Sequence, residues 1–278
     1  MSGAQLGPWG EARAARAASA SAAVPETPPA HQPQGQPLIW AVVSTALLAG
    51  YLWYAMGSWI YPLAGVIGVF VHEFGHVLAF NALGMGPGRI FIVPFLGGAA
   101  APRVAADTEW KDVLSSLAGP AFGLLAAAPF YGVFLATQDP IWLKGAWFIA
   151  VINLLNLVPA PPLDGSKALG PVLARVHPLL EKAALLLVGV AVVVWGFTQA
   201  RSLMGLLFPV FIALAVFSYL RRGVWRPHAR KLSWGGAGAS LGLYLLTALL
   251  CLGAIVFIGL QLPPDALGAV EEPAATGS

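Results

Sequence analysis

The sequence predicts an all-α polytopic membrane protein that carries one short, re-entrant, β-like hairpin. Three observations lead there. Hydrophobic residues make up 58% of the 278 positions and charged ones only 10%, whereas a soluble domain is about a quarter charged. The apolar residues gather into long uninterrupted runs of the length a bilayer-spanning helix needs. One further stretch, Gly88 to Pro102 (GRIFIVPFLGGAAAP), is equally apolar. It is β-branched and aromatic, however, and is broken by Pro94 and Gly97-Gly98, so it reads as strands rather than helix.

Along the chain, residues 1–36 are rich in Ala, Pro, Gln and Gly and have no apolar h-region. They read as a disordered cytosolic tail and not as a signal peptide. Pro37–Trp59 is the first run able to span and is expected to act as an uncleaved signal anchor. Ile60–Gly84, Val113–Thr137, Gly145–Val158, Ala183–Thr198, Leu203–Leu220 and Gly238–Leu262 follow. That makes about seven segments, of which the fourth and fifth are short for a straight span. The membrane domain is therefore placed at residues 37–262, with a tail at 263–278. The single cysteine, Cys251, sits in an apolar run and reads as a buried, inert thiol.

If the segments alternate, every Lys and Arg except Lys144 and Arg201 falls on one side. The positive-inside rule makes that side cytoplasmic. The N-terminus would then be cytoplasmic and the C-terminal tail external, in the cell membrane. Arg221 to Trp234 (RRGVWRPHARKLSW) is a basic, aromatic juxtamembrane stretch suited to anionic lipid or to a partner. The lipid bilayer is an expected partner and nucleic acid is not.

The second segment contains VHEFGHVLAF, Val71 to Phe80. Ionisable groups at membrane depth are costly and mark working sites by default. His72 and His76 stand four apart, so both imidazoles leave one face of a helix. That spacing suits two nitrogen ligands on one zinc, with Glu73 beside them as a general base. Core histidines bonded to backbone carbonyls are the bland alternative, which leaves Glu73 unexplained. His76 lies eight residues before Gly84, roughly 12 Å below the interface at 1.5 Å per residue.

A catalytic zinc takes three protein ligands and keeps one open position. Asp164, in NLLNLVPAPPLDGSKAL, is the other acidic residue expected at membrane depth. Pro159, Pro161 and Pro162 exclude helix before it, so the chain there is expected to run extended, with Gly165 allowing a tight turn. A surface helix N-cap is the alternative role for Asp164.

Together, His72-Glu73-Phe74-Gly75-His76 and Asn156-Leu157-Val158-Pro159-Ala160-Pro161-Pro162-Leu163-Asp164-Gly165 closely resemble the two signatures of the site-2 protease family of intramembrane zinc metalloproteases. Ser115 to Leu125 (SSLAGPAFGLL) looks like the Gly-Pro segment of that family's third core helix. Ser166 stands where many relatives have a second Gly. The resemblance covers Ile60 to about Lys182. It implies a three-helix metalloprotease core with extra transmembrane helices around it, and one Zn2+ per chain held by His72, His76 and Asp164. It further implies that Glu73 activates water and that transmembrane segments of other proteins are the substrates.

Asn153 and Asn156 lie three apart, on one face of the fourth helix. They are expected to meet a substrate backbone or the tetrahedral oxyanion, or else to make interhelical hydrogen bonds. Gly119 and Gly123 read as a close-packing pair. The hairpin reads either as a cap over the bundle or as a strand edge, near Ile92, that pairs with an extended substrate. The expected activity is intramembrane peptide hydrolysis; the alternative is a proteolytically inactive, zinc-binding membrane regulatory protein. A transporter fits less well, because zinc held by two His and an Asp leaves slowly.

Overall fold

In the computed structural model, described here for residues 37–93, 97–199, 204–222 and 229–263, the chain is a helical bundle with one small hairpin. The tail at residues 1–36, Pro94, Arg201, residues 223–228 of the basic stretch and the C-terminal tail from residue 264 lie outside the described residues.

Helix α1, Leu38–Met56, ends where Gly57 turns left-handed (φ 69°) and returns its N–H to Trp53. Helix α2, Ile60–Ala82, has a buried face. Ile60, Ala64, Gly68, His72 and His76 recur every four residues on it, and all five are buried. The stripe that packs apolar side chains near one end of the helix thus carries the histidines near the other. Glycines let the neighbours close in: a Cβ at Gly68 would stand 3.1 Å from Ile149, and one at Gly75 would stand 2.7 Å from Phe122.

The expected hairpin is present. Strand β1, Arg89–Val93, pairs antiparallel with β2, Gly97–Ala101, with Arg89 opposite Ala101 and Val93 opposite Gly97. Helix α3, Glu109–Leu125, is capped by Thr108, whose hydroxyl accepts the Lys111 N–H at 3.3 Å. Helix α4, Ala127–Thr137, continues it after a break at Ala126. Pro129 causes that break, since it has no N–H for the Leu125 carbonyl and its ring crowds that carbonyl. Next come α5, Ile141–Asn156, α6, Asp164–Val176, and α7, Pro178–Gln199. A 3-10 turn at Met204–Leu206 leads into α8, Leu207–Arg222, and α9, Trp234–Gly259, closes the described chain.

Five of the described helical stretches are long and apolar enough to cross a membrane: α1, α2, α3 with α4, α7 and α9. This is a multi-pass, all-α membrane protein with a two-stranded hairpin, as the sequence predicts. The short apolar helices are the fourth and sixth segments, Ile141–Asn156 and Leu207–Arg221, rather than the fourth and fifth. The fifth reaches 22 residues because it starts at Pro178 and takes Glu181 into its first turn. Proline is tolerated at a helix start, and a carboxylate is favoured there by the helix dipole.

Large apolar side chains point outward along α1, α7 and α9, among them Leu187, Val190 and Leu249. Hydrocarbon is the solvent that suits them. Inside, Ile60, Phe130, Leu143 and Ile149 form one cluster; Val113, Leu117, Leu157, Ala168 and Cys251 form another. The Cys251 thiol is fully buried, as expected from its run.

Candidate metal centre

Helix α2 brings His72 and His76 into the bundle, and the first turn of α6 brings Asp164 to meet them. The Nε2 atoms of the two histidines lie 3.2 Å apart, and Asp164 Oδ2 lies 3.0 Å from one and 3.2 Å from the other. All three residues are buried, and one ligand atom from each falls within 4.8 Å of the others. Among the described residues these are the only His, Cys, Asp or Glu side chains so grouped.

The opposite ring nitrogens determine what this cluster can bind. His72 Nδ1 is 2.9 Å from Asn153 Oδ1, and His76 Nδ1 is 2.7 Å from the Ser115 carbonyl. Both partners are acceptors for an Nδ1 proton, the arrangement that turns the Nε2 lone pair of each ring toward a metal when one is bound. Two neutral imidazole nitrogens and a carboxylate oxygen, with the imidazoles held from behind, make a donor set suited to zinc. The residues fit the metal. Glu73 completes the constellation: it is buried, and its Oε2 has no hydrogen-bond partner among the described residues. A buried carboxylate oxygen left unpaired is costly unless something else occupies it.

The cluster opens on a cleft of about 450 Å³. Gly98, Ala99 and Ala100 of β2 form part of its wall, together with Asn156, Lys167, Phe211 and Ala229. A Cβ at Gly98 would stand 2.9 Å from the Glu73 carboxylate, so the hairpin lies directly against Glu73. The strand beside the cleft is therefore β2, whereas the sequence pointed to Ile92 on β1.

The loop before Asp164 departs from expectation. Rather than running extended, it folds as successive tight turns, with Ala160 N–H bonded to Val158 O and Leu163 N–H to Ala160 O. Helix α6 then starts at Asp164 itself, after Leu163 as N-cap, so Asp164 is not the cap. Gly165 is helical rather than a turn residue. Its missing Cβ leaves room for the Leu157 and Val158 carbonyls, against which the first turn of α6 rests. The local reason is that three prolines exclude helix without requiring extension.

The two asparagines part company. Asn153 is fully buried; Oδ1 meets His72 and Nδ2 donates to Ile149 O at 2.8 Å. With both ends engaged on protein, it holds His72 rather than facing a substrate. Asn156 lines the cleft, its Nδ2 bonded to Ile152 O at 3.1 Å.

Several contributors escaped the sequence. A Cβ at Gly119 would collide with His76 Nε2 and lie 2.8 Å from His72 Nε2, and one at Gly123 would collide with the Asn153 amide. The small-residue pair therefore clears space for the two imidazoles and the Asn153 amide, which helix-packing spacing alone did not reveal. Tyr244 of α9 donates to the Leu157 carbonyl at 2.6 Å and steadies the loop that carries Asp164. Glu109, buried at the start of α3, accepts from Lys231 Nζ and from Leu232 N–H, both at 3.0 Å. Thr108 and Arg230 add a backbone bridge, so this part of the basic stretch is tied to the bundle.

Comparison with known proteins agrees with this geometry. Residues 62–140, which include both histidines, Glu73 and the Gly119 segment, match the model of peptidase family M50. That stretch of the chain is similar to peptidase family M50. The resemblance to site-2 proteases read from the two motifs is thereby borne out. Among curated proteins, the chain is 32% identical over 109 residues to sll0528 of Synechocystis sp., covering 36% of this chain and 28% of that protein. It is 29% identical over 174 residues to Rip2 of Mycolicibacterium smegmatis, covering 49% and 65% respectively. Both are provisionally named as zinc metalloproteases. The chain spans less than two thirds of either relative's length.

Proposed function

We propose that this chain is an intramembrane zinc endopeptidase that hydrolyses a peptide bond within or near a transmembrane segment of a membrane protein substrate. The observation that carries the proposal is the meeting of His72 Nε2, His76 Nε2 and Asp164 Oδ2 close to Glu73, whose Oε2 has no partner among the described residues, with both histidines and Glu73 on α2, a helix of membrane-spanning character. The M50 match and the names of the two relatives support it.

His72, His76 and Asp164 would hold one zinc per chain. Bound there, zinc supplies Lewis acidity toward the scissile carbonyl and the attacking water. Glu73 takes the water's proton at Oε2 and hands it to the leaving amine. Asn153 and the Ser115 carbonyl keep both imidazoles in the ligating tautomer. Asn156, on the cleft wall, is the amide left to meet substrate or oxyanion. The outer edge of β2 would pair with an unwound substrate, re-satisfying backbone groups that each cost several kcal/mol when bare in lipid. The protein would sit in the cell membrane with its N-terminus cytoplasmic and its C-terminus external. An inactive zinc-binding regulator has no use for a buried glutamate in the same cleft as the metal cluster, which disfavours that alternative.

Zinc content and cleavage of a reporter transmembrane helix in detergent test the proposal. His72→Ala, His76→Ala and Asp164→Ala should each lose most zinc. Glu73→Gln should keep zinc and lose cleavage by roughly 100-fold or more, the scale of general-base catalysis. Retention of zinc and activity in Asp164→Ala would overturn the ligand set.

A further inference from the structure

Among the described residues that line the cleft, Lys167 is the only lysine or arginine. It follows Asp164 by three positions in α6, so it leaves the helix on the side that bears the metal ligand. The two other lysines near the site's framework are paired: Lys111 with Asp107 and Lys231 with Glu109, each at 3.0 Å. Lys167 makes no ion pair among the described residues, and it is exposed to the cleft.

Three carboxylates share the cleft wall with it, Glu73, Asp112 and Asp164; Asp164 is held by the two histidines, and none of the three forms an ion pair with Lys167. Much of the remaining wall is small and apolar, including Gly98, Ala99, Ala100 and Pro102. A lone cation in a cleft with low-dielectric walls focuses its field on whatever enters. An uncharged substrate would leave it without a counter-ion, and a basic one would be repelled.

We propose that Lys167 is a specificity-determining residue, selecting substrates that present an Asp or Glu side chain within a few residues of the bond to be cut. This rests on the endopeptidase function proposed above. The carboxylate would pair with Lys167 Nζ while the neighbouring backbone lies along β2.

The experiment uses the full zinc-loaded chain in detergent and a set of reporter helices. The reporters are identical except for Glu, Gln or Lys at each of the three positions on either side of the cut. At one or more positions the wild type should favour Glu over Gln by roughly two- to fivefold in kcat/KM, the discrimination a partly screened ion pair supplies. Lys167→Arg should keep that preference. Lys167→Gln should abolish it while binding as much zinc as the wild type, and Lys167→Glu should favour the Lys reporter. If Lys167→Gln slows all reporters by the same factor, or if the wild type shows no preference anywhere, the specificity role is overturned while proteolysis stands. If the wild type binds zinc and cuts none of the reporters, the endopeptidase function fails, and this role fails with it.

Discussion

Asn153→Ala separates positioning from substrate binding. In the native bundle Asn153 and His72 are 0% and 4% exposed, and Oδ1 is the partner of the His72 Nδ1 proton. Removing the amide leaves that N–H buried and unpaired at a cost of about 1–3 kcal/mol. The ring can escape the cost by moving its proton to Nε2, but Nε2 is then a donor and no longer a ligand. Either way the loss falls on metal binding. At about 1.4 kcal/mol per tenfold, zinc affinity should drop roughly 10- to 100-fold, in the range found when outer partners of metal-bound histidines are removed. Asn153→Asp keeps an acceptor opposite Nδ1 and should recover most of the affinity, although it gives up the donor to Ile149 O. Zinc titration against a chromophoric chelator, with helicity checked by circular dichroism, makes the measurement. If Asn153→Ala binds zinc like the wild type and only cleavage falls, Asn153 serves the oxyanion and the positioning argument is wrong.

Three further outcomes are expected. Gly119→Ala, whose Cβ would collide with one histidine Nε2 and stand 2.8 Å from the other, should empty the site of zinc in elemental analysis while the helix content stays native. Tyr244→Phe leaves the Leu157 carbonyl without its 2.6 Å donor, which should cost about 0.5–1.5 kcal/mol of stability and weaken zinc retention by a few-fold in the same titration; unchanged zinc binding would confine Tyr244 to packing. In oriented membranes, a cysteine introduced before Pro37 or near Arg226 should react with an impermeant maleimide from the cytosolic side, and one after Asp265 from the outside; labelling of both ends from one side would overturn the orientation.

How much was legible in the sequence depended on range. The histidine pair on α2 is a local matter: a four-residue repeat on a 3.6-residue helix puts His72 and His76 on one stripe whatever surrounds it. Segment identity was equally local, because bilayer thickness converts length and composition directly into spans. Start positions were less so, as α7 shows: charges at Glu181 and Lys182 shorten the apolar run without ending the helix. Asp164 lies 92 residues from His72 and was reached through chemistry, since few acidic groups could stand at that depth.

Which face of each helix meets which neighbour is a different kind of fact, and it reassigned Asn153, Gly119 and Gly123. Spacing showed that the two asparagines share a face. Only packing decided that Asn153 turns to His72 and Asn156 to the cleft. The Ser115 carbonyl could not be found from sequence at all, because every residue offers the same backbone acceptor. Tyr244 and Glu109 act across 87 and up to 123 residues, with no periodicity linking the ends. The sequence by itself picked out the side chains that meet at the site and the helix that carries the histidine pair, since both follow from side-chain chemistry and helical repeat; the helix that begins at Asp164 came only with the fold. The tautomers, the shape of the cleft and the strand beside it were decided by tertiary contacts, because each depends on atoms brought together from distant parts of the chain.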